Sequence, residues 1–184
     1  MAPFLVATPD DTTAAAGGGD SAVDGWVAEE LSHLLNRWAG LFRGDARVKK
    51  ASDVTEEDKA RFNLVLWGTP ATNSIVADFL STPELPFAWD GTGCAKIGER
   101  EFRGPAIVPQ LIFPSPFGAG RYVLLNSGTT FREGHDTTNS MQNAKLPDWA
   151  VVDVTTAPSP VSPGRVVLAG FCDEKWFPIV NPNE

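Results

Sequence analysis

The sequence predicts a single α/β domain over residues 1–184, built on one mixed, mostly parallel sheet flanked by helices. Three observations lead there. An amphipathic helical stripe stands early in the chain. A nearly continuous apolar strand runs straight into a turn and a second helix. Strand-like runs separated by turn residues fill the second half. A length of 184 residues is enough to bury a real core, and 42% hydrophobic with 21% charged residues is a globular balance rather than a disordered one. With 17 Gly and 15 Pro, the chain favours short elements and many turns over a helix bundle.

Residues 4–7 form a short β-prone run, followed at 9–20 by a small and polar stretch that reads as a flexible loop. Ser21 opens a helix, with Asp24 three residues on as a variant capping box. Trp26, Val27, Leu31, Leu34, Leu35, Trp38, Leu41 and Phe42 recur at helical spacing and make one wide apolar face, and Gly44 is the stop signal. A short strand is expected at 47–51 and a helical turn from Thr55-Glu56-Glu57-Asp58. Residues 62–67 then read as a strand covered on both faces. It runs into Gly68-Thr69-Pro70-Ala71-Thr72-Asn73 and a helix at 74–80, which is the grammar of a βα unit. Short strands follow at 87–89, 94–97 and 99–103, with a hairpin turn around Gly98. Stronger strands are expected at 106–113, 121–126, 149–154 and 166–171, with a short helix around 139–144 and a tail at 177–184. A sheet assembled this way has Rossmann-like or flavodoxin-like character.

Charge and composition exclude several functions. Fifteen basic against 23 acidic side chains leave a net charge of −8, so phosphate backbones are repelled and nucleic acid is not an expected partner. No apolar stretch approaches the length of a membrane-spanning helix, and no membrane insertion is expected. The opening residues lack a basic region and carry only a short apolar run, so they read as a strand rather than a signal peptide. The compartment stays open. Cys94 and Cys172 could pair or stay free and read as two small buried apolar side chains; they have no Cys-x-x-Cys or Cys/His spacing, which argues against zinc. No metal and no cofactor is expected.

Two polar turns are the candidate binding site. Thr69, Thr72 and Asn73 follow one apolar strand, and Asn126, Ser127 and Thr130 follow another. If those strands are parallel neighbours, their turns share the crevice at the carboxyl ends of the sheet, where a helix N-terminus near Thr72 favours an anion. The turn is neither a Walker A loop, since it lacks Lys, nor a Gly-x-Gly-x-x-Gly loop. Capping and turn formation account for the same residues, with a small-anion binding module as the functional counterpart. Catalysis has a weaker basis. No Gly-x-Ser-x-Gly elbow occurs, and Leu125 and Asn126 precede Ser127 where Gly and a spacer belong. No catalytic residue is therefore assigned. The alternative is a small serine hydrolase, an esterase or peptidase, with Ser127, His135 and Asp136 as nucleophile, base and orienter. His33 reads as a boundary side chain. Glu56-Glu57-Asp58 reads as a helix start, and Asp173 with Glu174 lie beyond a strand end. The six tryptophans read mainly as core rather than as sugar-stacking surface.

A string of motifs carries a resemblance. It comprises the helix ending Phe42-Arg43-Gly44-Asp45, then Asn63-Leu64-Val65-Leu66-Trp67-Gly68-Thr69-Pro70 with Asn73, and Arg121-Tyr122-Val123-Leu124-Leu125-Asn126-Ser127-Gly128 with Thr130-Phe131. Leu146-Pro147-Asp148-Trp149-Ala150-Val151 and Ala169-Gly170-Phe171 with Asp173, Glu174 and Trp176 complete it. In this order they resemble the C-terminal domain that follows the catalytic domain in large bacterial, planctomycete-type prolyl oligopeptidase-like α/β-hydrolases. The resemblance runs from Phe4 to Trp176 and implies a non-catalytic accessory or interaction domain. The partner it implies is a hydrolase catalytic domain or a second copy of the chain, and it implies exported relatives. Two departures stand out. Thr129 occupies the place of the His that usually follows the family's Asn-Ser-Gly, and this chain carries no hydrolase domain.

Overall fold

The computed structural model describes residues 3–10, 21–83, 85–127, 147–159 and 162–179. Strand β1 (Phe4–Thr8) leads through helix α1 (Ala22–Phe42) to β2 (Val48–Lys50), which pairs parallel with β1. A 3-10 turn (Ala51–Asp53) and α2 (Glu56–Arg61) deliver β3 (Asn63–Leu66) to the other side of β1, again parallel. Helix α3 (Ser74–Leu80) follows. Then β4 (Phe87–Trp89), β5 (Cys94–Ile97) and β6 (Arg100–Arg103) form a small antiparallel sheet of their own. Strands β7 (Ile107–Pro114), β8 (Tyr122–Leu125), β9 (Trp149–Asp153) and β10 (Arg165–Gly170) complete a seven-stranded sheet in the order β10-β9-β7-β8-β3-β1-β2.

This corrects the expected fold class. The large sheet is mixed, but not mostly parallel: β2, β1, β3 and β8 run parallel, whereas β7, β9 and β10 join by antiparallel pairing. With a second antiparallel sheet and three α-helices among the described residues, it is not a helix-flanked, Rossmann-like or flavodoxin-like sheet. The cause lies in the connections. A parallel neighbour needs a crossover of about a dozen residues or more, usually helical. The first half of the chain supplies such crossovers, and so does the connection 126–148, after which β9 runs in the direction of β8 with antiparallel β7 between them. Residues 115–121 between β7 and β8, and the Gly98 turn (φ 56°) between β5 and β6, are too short for anything but a return.

The faces follow from register. Phe4 packs edge-on against Trp38 of α1, while Leu5, Leu64, Val123 and Phe113 line up on the opposite face, where Phe79 of α3 and Phe87 of β4 meet Phe113. So α1 covers one face, and α3 with the small sheet covers the other. Ser21 caps α1 by accepting from the Asp24 N–H, and its hydroxyl donates back to the Asp24 carboxylate. Trp26, Leu31 and Leu34 of the apolar stripe are buried, Leu35 and Trp38 are half-buried, and Phe42 is 53% exposed at the last residue of the helix. The helix stops at Arg43, which takes the left-handed conformation (φ 52°) expected of Gly44. Of the tryptophans, Trp26, Trp67, Trp89 and Trp149 are core, and Trp38 and Trp176 are half-buried. The expected helix around 139–144 and residues 11–20 lie outside the described residues. Phe177–Ile179 are tied back, with the Ile179 N–H donating to the Phe171 carbonyl.

Two outcomes follow. Leu34→Ala should lower the unfolding free energy by about 2–5 kcal/mol in chemical denaturation, the cost of a largely buried leucine. Asp58 caps α2 through Thr55 and accepts from Lys49 Nζ of β2 at 2.6 Å; that bond, with the Thr55 N–H, holds its carboxyl down at about 2 from 3.8. A carboxyl depressed in the folded state stabilises above its unfolded pKa and loses that contribution as pH falls through its folded one. Stability should therefore decline from near pH 4 toward pH 2, and Asp58→Asn should flatten that part of the pH curve.

Candidate functional site

The carboxyl ends of β3 and β8 lie side by side, since the two strands pair parallel with Leu66 opposite Leu125. Both polar turns therefore emerge on the same rim of the sheet. Asn126 sits there with a left-handed backbone (φ 47°) and no exposure. Its Oδ1 accepts from the Gly68 N–H at 2.9 Å and its Nδ2 donates to the Gly68 carbonyl at 3.0 Å. Its own N–H donates to the Leu66 carbonyl, and its carbonyl accepts from Gln110 Nε2 at 2.9 Å. An amide side chain mimics a peptide edge, so Asn126 extends the β3–β8 ladder past the last strand residue.

Asn73 does the same on the β1 side. Its Nδ2 donates to the carbonyls of Ala7 (3.2 Å) and Trp67 (2.9 Å), and its Oδ1 accepts from the N–H groups of Ile75 and Val76. One buried side chain thus joins β1, β3 and the N-terminus of α3, and answers the backbone donors that an anion would otherwise meet. Thr69 and Thr72 bond each other: the Thr69 N–H donates to Thr72 Oγ1 at 2.9 Å, and the two hydroxyls are 3.2 Å apart. Gly68 is held at φ 119°, where a Cβ would meet Thr72 Oγ1 at 2.9 Å and Pro9 Cγ at 3.1 Å. Buried Pro9 therefore fills the crevice between the ends of β1 and β3, and the Asp10 N–H donates to the Thr72 carbonyl.

Of the residues read from the sequence, Thr69, Thr72, Asn73 and Asn126 are brought together, and Ser127 is half-buried beside them. Thr130, His135 and Asp136 lie outside the described residues. Ser127 borders a cavity of about 200 Å³ on the α1 face of the sheet, floored by Ile112, Leu124 and Ala150 and edged by Gln110, Pro147 and Asp148. The Asp148 carboxylate accepts from the Cys172 N–H at 2.9 Å. Sequence reading passed over Gln110 and Pro9. A signal existed for Gln110, as the one amide inside the apolar run of β7.

Among the described residues, no group of three His, Cys, Asp or Glu side chains gathers to hold a metal ion, and no helix is long and apolar enough to cross a membrane. Cys94 and Cys172 are unpaired and half-buried rather than fully buried, which corrects the reading of both as core. Burial, with Asp148 and Asp173 nearby, pushes the Cys172 thiol up to about 12. Burial and the hydrogen bond to Glu101 raise Cys94 as well. Comparisons of the chain with protein-family models, with curated proteins and with solved structures each return no match.

Asn126→Gly keeps the left-handed backbone and removes only the side-chain bonds. It should cost on the order of 2–4 kcal/mol in guanidinium denaturation, from two buried backbone groups of Gly68 left unpaired. Both thiols should react with iodoacetamide at pH 7.5 more slowly than free cysteine, Cys172 the more slowly, as followed by mass spectrometry.

Proposed function

We propose that this chain is a non-catalytic accessory domain that packs beside a prolyl oligopeptidase-like serine hydrolase. One observation carries the reading: the polar side chains at the strand-end rim are used on the protein's own backbone. Asn73 and Asn126 bond Ala7, Trp67, Gly68 and the first turn of α3, and Thr69 and Thr72 bond each other. Such a rim offers architecture rather than a nucleophile and base. The motif string described above supplies the partner, since the domain it resembles follows a hydrolase.

The surface supports a packing role. Val166 and Val167 on edge strand β10, with Phe171, Phe177 and Ile179 beyond it, are each more than a third exposed. Exposed large apolar side chains near a sheet edge are usual where a protein meets a partner. The other edge strand, β2, carries Lys49 and Lys50, which discourage strand addition there.

The purified chain should hydrolyse p-nitrophenyl esters and proline p-nitroanilides no faster than buffer. Titrated against the catalytic domain of a motif-bearing hydrolase, it should form a complex in sedimentation velocity. Esterase or peptidase activity abolished by both Ser127→Ala and His135→Ala would replace this reading with a small serine hydrolase.

A further inference from the structure

The rim opposite the Asn126 turn has a different character. It lies at the amino ends of β2, β3 and β8, where Arg47 and Arg61 flank Phe62 and Arg121 reaches the Arg61 backbone. The Arg47 guanidinium lies 5.8 Å from the centre of the Phe62 ring and that of Arg61 lies 5.6 Å from it, so two cations share one aromatic side chain. Arg121 joins them by donating from Nε to the Arg61 carbonyl at 2.8 Å and from Nη1 to the Gly120 carbonyl at 3.2 Å. The backbone under the three is itself tied. The Tyr122 N–H donates to Asn63 Oδ1, the Asn63 N–H donates to the Pro3 carbonyl, and the Val6 N–H donates to the Arg47 carbonyl. These guanidinium groups are therefore anchored by neighbouring rings and carbonyls.

None of the three makes an ion pair among the described residues, although the whole chain carries 23 carboxylate side chains. Elsewhere cations do find acids: Lys49 meets Asp58, Lys59 meets Glu56, Arg103 meets Glu101, and Arg165 meets Asp153. Asp45, two residues from Arg47, is exposed and pairs with none of them. Three like charges held together are mutually repulsive, and an external anion relieves that repulsion. Beside them Tyr122 is 40% exposed and meets Trp176 with ring centroids 5.7 Å apart at a tilt of 55°, which adds an apolar shoulder.

We infer that the Arg47–Arg61–Arg121 rim docks a short acidic segment of a partner protein, its carboxylates on the guanidinium groups and its flanking side chains on Tyr122 and Trp176. Guanidinium groups present planar donor pairs that match carboxylates. The net charge of −8 disfavours a long phosphate polymer, whose charge would extend well beyond the three arginines. A short segment stays within about one Debye length, ~8 Å at physiological salt, of the three arginines. This inference rests on the accessory-domain reading and names its docking surface.

The test is a titration of the isotope-labelled chain with hexaglutamate at about 20 mM salt, where screening is weak. Saturable shifts are expected at the Nε–H groups of Arg47, Arg61 and Arg121 and at the Tyr122 amide. The Arg47→Gln/Arg61→Gln/Arg121→Gln variant, checked for folding by circular dichroism, should bind about tenfold or more weakly, and so should the wild type at about 150 mM salt. Should the triple variant fail to fold, Arg47→Gln and Arg61→Gln singly should each weaken binding about two- to threefold. No shift, shifts confined to other residues, undiminished affinity in the variants, or tighter binding of an oligothymidylate than of hexaglutamate would each overturn the inference. Repeating the hydrolase titration with the triple variant separates the two readings. A complex that forms equally with both proteins overturns the docking surface alone. A wild-type chain that forms no complex, yet binds hexaglutamate at the rim, overturns the hydrolase partnership alone.

Discussion

Asn126 holds the large sheet at the one place where its two construction principles meet. Strand β8 pairs parallel with β3 and antiparallel with β7, so the ladder changes sense across it. A short strand in that position needs its register secured at its end. Asn126 secures it by bonding both backbone groups of Gly68 and by receiving Gln110 from β7 on its carbonyl. Three strands are thereby tied through one residue whose left-handed backbone also turns the chain away from the sheet. Strands β7, β9 and β10 are added in succession beyond β8, so their placement depends on this junction.

The two rims of the sheet divide the labour. At the carboxyl rim, Pro9, Asn73, the Thr69–Thr72 pair and Asn126 fill the space that open α/β sheets leave to ligands. Buried polar groups tolerate no half-measures, and here each amide finds both a donor and an acceptor. At the amino rim the positive groups rest on Phe62 and on backbone carbonyls, without carboxylate partners among the described residues. The closed rim supplies rigidity, and the open one supplies positive charge on a chain whose net charge is −8.

Much of the local structure was legible because it follows from near neighbours. The α1 stripe, the Ser21 and Thr55 caps, the βα step at 62–80, the hairpin at Gly98 and the strands of the second half all stand where periodicity and turn residues put them. The polar turns that meet at the rim were also visible as residues, since each follows a strongly apolar strand. What they do there was not visible. Whether an asparagine faces a ligand or a glycine backbone depends on what stands across from it, and for Asn126 that is Gly68, fifty-eight residues away. The arginine rim is similar: Arg47, Arg61 and Arg121 are unremarkable in three separate segments and become one surface only when β2, β1, β3 and β8 align.

The sequence by itself determined the elements, their order and the charge of the surface, because these depend on side-chain periodicity, capping and turn chemistry within a few residues. Only the tertiary structure decided the sense and order of the strands. Pairing direction is set by how far each connection reaches: residues 115–121 leave no room for a crossover, so β7 and β8 pair antiparallel, and β9, reached through 126–148, meets β7 antiparallel although it runs in the direction of β8. The tertiary structure also decided which polar groups are consumed by the fold. A buried amide bonds the nearest unmet backbone group, and which group is nearest is fixed by strand register rather than by sequence distance.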